Sequence, residues 1–310
     1  MKISIIGSGN VGVAAALYLI EKKVADVVLI DIVKNWAEGI AMDIVHVSPI
    51  RKYDVHINGY SDFSKIKDSD VVIVTAGKPR LPGMSREDLL RDNIKIMKQV
   101  SEYVAKYAPN AVLITVSNPL DILAYVALKV TGFALKKVIG MAGILDSSRF
   151  RYFIASELGV SPKNVTALVL GGHGDLMVPL PRYSTVHGIP VTELLSKSKI
   201  EELVERTRKA GGEIVSYLKT GSAYWSPGCS AAEMAECVVR DKRRIVPCSA
   251  YLRGEYGIDG LFVGVPIQIG KNGVEEIIEL ALTTEEKEAL HFSAGKVKGT
   301  IEKLEAEKLI

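Results

Sequence analysis

The stretch KISIIGSGNVGVAAALYLI, residues 2–20, determines the fold of this chain. Its first five residues are short and mostly apolar and predict a buried strand, whereas the part after Asn10 has the Ala and Leu content of a helix. Gly7, Gly9 and Gly12 lie between them in the spacing G-x-G-x-x-G. A strand, a glycine turn and a helix in this order are typical of a domain that binds the pyrophosphate of a dinucleotide.

A physical requirement explains why glycine occupies each of these three positions. Gly7 permits a tight turn, Gly9 allows the backbone to approach a pyrophosphate, and Gly12 allows the helix to pack closely on the strand. The unpaired N–H groups and the dipole at the start of the helix favour the negative charge of the phosphates. The motif in this context therefore predicts a dinucleotide site.

Asp31 ends the next predicted strand, 19 residues after Gly12. A carboxylate at this point accepts hydrogen bonds from the ribose hydroxyls and repels a 2′-phosphate. Ile32 and Val33 follow it, with no neighbouring arginine to bind such a phosphate. These residues favour NAD over NADP.

The first half of the chain alternates Val/Ile-rich strands with helices, including a strand predicted in YDVHING, residues 53–59. This alternation is typical of a parallel sheet covered by helices on both faces. After about residue 145 the pattern changes to a long helix and strands expected to be antiparallel. We therefore predict an α/β chain: a Rossmann doubly wound parallel sheet in residues 1–144, followed by an α+β substrate domain in residues 145–310.

Composition excludes several classes of protein. The net charge of +3 is too small for a protein held on nucleic acid mainly by phosphate contacts. The three cysteines lack a C-x-x-C pair, which favours reduced thiols over a zinc site or a disulfide. The apolar run at the N-terminus is too short for a signal peptide, and no run approaches the ~18 residues of a membrane span. We expect a cytoplasmic protein with no membrane or metal partner.

His173 lies between glycines in LGGHGD, at the end of a predicted strand, where its side chain has little local cover. Asp146 and Arg149 are three residues apart at the start of a predicted helix and so share one face. Asp146 could orient an imidazole and Arg149 could bind a carboxylate. By local pattern alone, a surface histidine, a helix-capping aspartate and an exposed arginine are the favoured interpretations.

The motifs GSGNVG…LID, TAG, PRLPGMSR, VSNP, LDSSRFR and GGHGD occur in this order, and GSAYWSPGCSAAEM extends the pattern toward the terminal helix. Together they resemble the lactate/malate dehydrogenase superfamily, and within it the lactate-dehydrogenase-like malate dehydrogenases. The resemblance covers nearly the whole chain. It implies reversible oxidation of a 2-hydroxy acid by hydride transfer to NAD, a place in the tricarboxylic acid cycle, and a homo-oligomer, with a tetramer favoured over a dimer.

The resemblance also implies roles for individual residues. His173 is similar to the proton donor and acceptor at the substrate C2 oxygen, Asp146 to its carboxylate partner, and Arg149 to the arginine that binds the C1 carboxylate. Arg86 is similar to the loop arginine that polarises the reacting carbonyl, and Asn118 to a residue near nicotinamide and substrate. The positions that match cofactor contacts are Gly7, Ser8, Gly9, Asn10, Val11, Gly12, Asp31, Ala76, Gly77, Asn93, Val116, Ser117 and Asn118.

Arg80 lies six residues before Arg86. In the superfamily, malate-type chains carry Arg at this position and lactate-type chains tend to carry Gln. An arginine there would pair with the second carboxylate of oxaloacetate and would be left unpaired by pyruvate. We therefore expect a small dicarboxylate substrate, malate or oxaloacetate.

Three alternatives remain open at this point. The same scaffold could act on lactate or another 2-hydroxy acid, or it could be a dinucleotide-binding module without turnover. An NAD-dependent glycosidase shares the nucleotide domain but needs a metal, and no Cys or second His lies close in sequence to His173.

Overall fold

The computed structural model describes residues 1–78 and 86–310, and of Arg86 it describes the backbone only. The strands of this part of the chain, in chain order, are β1 (Lys2–Ile6), β2 (Asp26–Ile30), β3 (Ile57–Tyr60), β4 (Val71–Val74), β5 (Val112–Thr115), β6 (Val138–Gly140), β7 (Val165–Thr166), β8 (Val169–Gly171), β9 (Met177–Pro179), β10 (Thr185–Val186), β11 (Ile189–Pro190), β12 (Arg244–Arg253), β13 (Asp259–Gly270) and β14 (Gly273–Ile277).

The helices of the same ranges are α1 (Asn10–Glu21), α2 (Trp36–Val45), α3 (Ser48–Arg51), α4 (Arg86–Tyr107), α5 (Leu120–Thr131), α6 (Gly143–Leu158), α7 (Val191–Leu194), α8 (Lys197–Leu218), α9 (Trp225–Val239) and α10 (Thr284–Ala306). Helix α6 runs across the position between residues 144 and 145 at which the sequence places the domain boundary. That boundary stays a prediction.

The first six strands form a parallel sheet in the order β3-β2-β1-β4-β5-β6. The central strand β1 pairs in register with both neighbours, so that Ile3 lies beside Val27 on one side and Val71 on the other. Strands β1, β4 and β5 are almost completely buried, as expected for a parallel sheet covered on both faces. The predicted Rossmann sheet is confirmed. The carboxyl ends of β1, β2, β4 and β5 lie along one common edge of this sheet.

The second half continues the same sheet with antiparallel strands. Gly140 of β6 pairs with Ser249 of β12, and the order continues through β13 and β8 to β9. An added Cβ at Gly140 would lie 2.8 Å from the Ser249 side chain, so the close approach of the two strands requires glycine there. The predicted α+β arrangement is confirmed, and the shared sheet brings the loop after β8 near the edge where the parallel strands end.

One strand begins later than the sequence pattern predicts. The pattern YDVHING suggested a strand from residue 53, but β3 starts at Ile57. Tyr53 is buried instead against α2, and its hydroxyl donates to the Ile44 carbonyl at 2.7 Å. Its apolar ring therefore packs on a helix, although its position in the sequence also fits a strand.

A buried charged residue, Glu236 of α9, lies where this helix contacts the end of α1. The Glu236 side chain is 4% exposed and lies 2.8 Å from both Lys22 and Lys242. Burial raises the pKa of this carboxyl, but the hydrogen bonds and charges of the two lysines outweigh burial, and its pKa falls to about 2. The ionised carboxylate therefore stabilises the fold above the unfolded-state pKa, and this contribution disappears as the pH falls toward about 2.

Glu236→Gln is expected to lower the free energy of unfolding by roughly 2 kcal/mol at pH 7, because the partly exposed ammonium groups of Lys22 and Lys242 lose their anionic partner. The difference in the free energy of unfolding between the variant and the parent should become smaller as the pH falls from the ordinary glutamate pKa toward 2. Urea unfolding at pH 7 and pH 3 measures this, with exposed Glu302→Gln as the control. Equal destabilisation at both pH values would contradict the assignment.

Across residues 1–78 and 86–310, no helix is long and apolar enough to cross a membrane.

Candidate active site

His173 is held on a short loop that follows β8. Gly171 and Gly174, on either side of it in this loop, have φ values of +81° and +100°, in the left-handed region that glycine adopts without strain. The chain therefore turns sharply at the end of β8 and brings the imidazole toward the start of α6.

Asp146, in the first turn of α6, binds this imidazole. The Nδ1 atom of His173 lies 2.8 Å from Asp146 Oδ2, and the Asp146 side chain is only 2% exposed. Burial lowers the pKa of His173, but the charge and hydrogen bond of Asp146 outweigh burial, so the pKa is raised from its ordinary value. Because Asp146 occupies Nδ1, the remaining ring nitrogen, Nε2, is the one available to a substrate.

Arg149 completes this group one turn along α6. Its NH1 donates to Asp146 Oδ1 at 3.2 Å. Its Nε atom is buried and has no hydrogen-bond partner within the part of the chain that the structure describes. Burial also lowers the pKa of this guanidinium, against the opposing charge of Asp146. A buried, charged donor without a partner is costly, so this geometry fits a site that binds an anion such as a carboxylate.

The glycine motif of β1 and α1 fits a dinucleotide. An added Cβ at Gly7 would lie 2.6 Å from the Ala76 backbone nitrogen, and one at Gly12 would overlap the Gly7 carbonyl oxygen. At Gly9, which caps α1, no described atom beyond its two chain neighbours lies within 4 Å of the same position. Two of the glycines thus allow close packing, and the third leaves an open surface at a helix N-terminus for phosphates.

Asp31 lies beside this open surface. Its Oδ2 accepts the Ser8 N–H at 2.8 Å and its Oδ1 accepts the Val33 N–H at 3.0 Å. Each carboxylate oxygen has a further lone pair for a ribose hydroxyl. The Trp36 indole N–H donates to the Ser8 carbonyl at 3.0 Å, a contact that the sequence patterns did not suggest.

The ends of β4 and β5 meet the side of α4 at the same edge. The buried Asn93 side chain donates to the Asn118 carbonyl at 2.9 Å and accepts the Lys78 N–H at 2.8 Å. The Ser117 hydroxyl donates to the Ala76 carbonyl at 2.6 Å. These bonds join the predicted cofactor positions into one hydrogen-bonded rim, on which the Asn118 side chain is exposed.

The structure thus brings His173, Asp146 and Arg149 into one cluster, and it brings the glycine motif, Asp31 and the rim residues to one edge of the sheet. Val116, Asn10 and Val11 lie in the same two segments as the rim and the motif. Arg80 lies outside the described residues, and so does the side chain of Arg86. Residues 1–78 and 86–310 contain no group of His, Cys, Asp and Glu side chains suited to a metal ion.

Asp121 is a residue of this site that sequence reasoning missed. It lies in the first turn of α5, and its Oδ2 accepts the His173 backbone N–H at 3.1 Å. The signal that could have found it is a single carboxylate within the otherwise apolar run LDILAYVAL.

Comparison with known proteins agrees with this geometry. Residues 1–140 match the family model of the lactate/malate dehydrogenase NAD binding domain, and residues 144–308 match that of the lactate/malate dehydrogenase alpha/beta C-terminal domain. A malate dehydrogenase of Chlorobium limicola is 52% identical over 307 residues, which cover 99% of each chain.

Two solved structures are also similar over nearly their whole length. The apo malate dehydrogenase of Picrophilus torridus is 48% identical with a TM-score of 0.96, covering 98% of this chain and 97% of that one. A lactate dehydrogenase of Cryptosporidium parvum with lactic acid and nicotinamide adenine dinucleotide is 43% identical with a TM-score of 0.95, covering 98% of both chains. The chain described here belongs to the lactate/malate dehydrogenase family.

Proposed function

We propose that this chain is an NAD-dependent malate dehydrogenase, which oxidises (S)-malate to oxaloacetate and catalyses the reverse reduction. The observation that carries this proposal is the buried cluster of His173, Asp146 and Arg149 in a chain 52% identical to a malate dehydrogenase. The cluster combines a proton-transferring group with a cation for a carboxylate. A glycine motif that fits NAD lies at the carboxyl edge of the same sheet.

The residues of the cluster divide the chemical work. The unpaired Nε of Arg149 supports binding of the C1 carboxylate, which would hold C2 at a fixed distance from the imidazole. A nicotinamide bound at the glycine motif would supply the hydride exchange at C2, which no side chain can do. His173 takes the proton of the C2 hydroxyl during oxidation and returns it to the C2 oxygen during reduction.

The protonation state of His173 sets the direction of the pH dependence. Reduction requires the imidazolium and oxidation requires the neutral imidazole. Because Asp146 holds the pKa of His173 above its ordinary value despite burial, the imidazolium persists to higher pH than in a free histidine. The kcat/KM for oxaloacetate should therefore decrease as the pH rises through this pKa, while the kcat/KM for malate increases.

Arg80 is the residue that we propose to bind the second carboxylate, and Arg86 the one that polarises the carbonyl. Arg80→Gln is expected to lower kcat/KM for oxaloacetate by at least ~100-fold, a loss of about 2.7 kcal/mol, because a charge-assisted contact disappears. The rate on pyruvate should not decrease in parallel. Arg91→Gln, on the exposed face of α4, is the matched control. An unchanged ratio of kcat/KM for oxaloacetate to kcat/KM for pyruvate would refute this role of Arg80.

A lactate dehydrogenase is the second candidate, because the similar Cryptosporidium parvum enzyme shares the fold at a TM-score of 0.95. Steady-state kinetics with oxaloacetate or pyruvate, each with NADH or NADPH, separate the two. A malate dehydrogenase should prefer oxaloacetate, and Asp31 should favour NADH. NAD binding without oxidation of NADH by any 2-oxo acid would instead indicate a module without turnover.

We also propose a cytoplasmic homo-oligomer, with a tetramer favoured over a dimer. Exposed apolar side chains on α2, among them Trp36, Met42 and Val45, support burial against a second copy. The three cysteines are free, which is consistent with a reducing compartment. Light scattering coupled to size-exclusion chromatography measures the assembly.

A further inference from the structure

Asp121 is a buried carboxylate that none of the steps above uses. It is 5% exposed, and its Oδ1 accepts the Ser249 hydroxyl at 2.6 Å. Its Oδ2 accepts the His173 backbone N–H at 3.1 Å. One side chain at the start of α5 thus joins the parallel half of the sheet, the antiparallel strand β12 and the loop that carries His173.

The surroundings of Asp121 are shaped to admit this contact. An added Cβ at Gly172 would lie 3.3 Å from Asp121 Oδ2 and 3.3 Å from the Ser293 hydroxyl of α10. That hydroxyl in turn accepts the Gly172 N–H at 2.8 Å. Two successive peptide groups of the loop, those of Gly172 and His173, are therefore fixed by side chains from two different helices.

A carboxylate buried to this extent is costly, because both of its hydrogen-bond donors are uncharged groups. Its place in the first turn of α5 offsets part of that cost through the helix dipole. The charged groups that act on it are the imidazole of His173 and, on α6, the carboxylate of Asp146. The imidazolium is thus the titrating cation next to Asp121.

We propose that Asp121 is a positioning residue for the reaction: it fixes the peptide that carries His173 and adds a second negative charge that favours the imidazolium form. This role rests on the proposed function of His173 as the proton donor and acceptor. It differs from that of Asp146, which binds the ring itself.

Opposing influences act on the ionisation of Asp121 and His173, and their balance raises the pKa of Asp121 from its ordinary value, chiefly through burial. Burial raises the pKa of Asp121, and the nearby Asp146 charge raises it further, whereas the hydrogen bonds from Ser249 and the His173 peptide lower it. For His173, burial lowers the pKa, and the charge of Asp121 adds to that of Asp146 in raising it. Loss of the Asp121 charge should therefore make His173 a stronger acid.

The test is Asp121→Asn in the full-length enzyme, with oxaloacetate and NADH. The kcat for reduction is expected to fall about 10-fold, because the loop loses its fixed position and the imidazolium loses a favourable charge. The pH at which kcat/KM for oxaloacetate decreases should move to lower pH. The KM for oxaloacetate should change little, since Arg149 is intact. A kcat and pH profile that coincide with those of the parent would overturn the proposal.

Two further variants separate this role from a merely structural one. Glu236→Gln removes another buried carboxylate and should lower stability without moving the pH profile. Ser249→Ala removes one hydrogen bond to Asp121. It should move the pH profile to lower pH, as Asp121→Asn does, but by a smaller amount. If Asp121→Asn does not fold, Ser249→Ala becomes the deciding test. An unchanged pH dependence of kcat/KM for oxaloacetate in Ser249→Ala would then overturn the proposal.

The parent enzyme and His173→Asn identify the cause of a failure. If the parent reduces oxaloacetate and His173→Asn does not, the proposed function stands, and an unchanged Asp121→Asn refutes only the role of Asp121. If the parent does not reduce oxaloacetate, or if His173→Asn is fully active, the proposed function itself is wrong.

Discussion

His173→Asn is expected to lower kcat by about 10³-fold in both directions of the reaction, within the range that general acid–base catalysis contributes. The amide of Asn can donate a hydrogen bond to Asp146 as the ring does, but it cannot exchange a proton with the C2 oxygen near neutral pH. The loss should appear in kcat, because Arg149 still binds the substrate. NADH oxidation in stopped flow, under single-turnover conditions, measures the chemical step directly.

The binding of NADH should be unchanged in this variant, because the glycine motif and Asp31 lie on different elements from the His173 loop. Titration of NADH fluorescence is the control measurement. His291→Asn is the matched control variant: its Nε2 binds the Tyr256 carbonyl at 2.8 Å, away from Asp146. It should retain full activity. A His173→Asn enzyme with more than about a tenth of the parent kcat would contradict proton transfer by this residue.

The cofactor half of the site was predictable from sequence because its determinants are local. Gly7, Gly9 and Gly12 lie within six residues of one strand–turn–helix unit. Asp31 follows from the same unit, since β2 runs parallel beside β1 and ends at the same edge. A pattern that one supersecondary motif satisfies by itself can be recognised before the rest of the fold is known.

The substrate half was predictable only in part. The spacing of Asp146 and Arg149 on one helix face is a local fact, but the bond from Asp146 to His173 spans 27 residues and depends on how β8 docks. Local pattern therefore left a surface histidine possible, and the family resemblance was needed to join the three.

Asp121 shows where sequence reasoning ends. Its partners, Ser249 and the His173 peptide, lie 128 and 52 residues away along the chain. One of them is a backbone group, which has no signature in a side-chain pattern. The contact exists because β12 extends the parallel sheet beside β6 through the Gly140–Ser249 pair. Such a contact requires the sheet order, which the amino-acid pattern does not specify.

The second large effect is expected at Arg149. Arg149→Gln should lower kcat/KM for oxaloacetate by about 10³-fold, or about 4 kcal/mol, which is typical of removing one partner from a buried charge pair. Its Nε is already buried without a partner in the described structure, so the cost of desolvation is met before substrate arrives. Most of the loss should therefore appear in the KM for the carboxylate substrate.

Arg151→Gln is the matched control, since Arg151 lies on the same helix but donates to the Val165 carbonyl at 2.6 Å. It should leave the KM for oxaloacetate unchanged. An unchanged KM in Arg149→Gln as well would show that another cation binds the C1 carboxylate. Steady-state kinetics across a pH series, with NADH saturating, measure both variants.

The pH series adds a second, independent readout for Arg149. Burial lowers the pKa of His173, Asp146 raises it, and the positive charge of Arg149 lowers it. Loss of that charge should let the imidazolium persist to higher pH, so the decrease in kcat/KM for oxaloacetate should move upward in Arg149→Gln. Asp121→Asn should move it downward. If the charge state of His173 governs the reaction, the two substitutions should move the pH at which kcat/KM for oxaloacetate decreases in opposite directions. A general loosening of the fold would move this pH in the same direction in both variants.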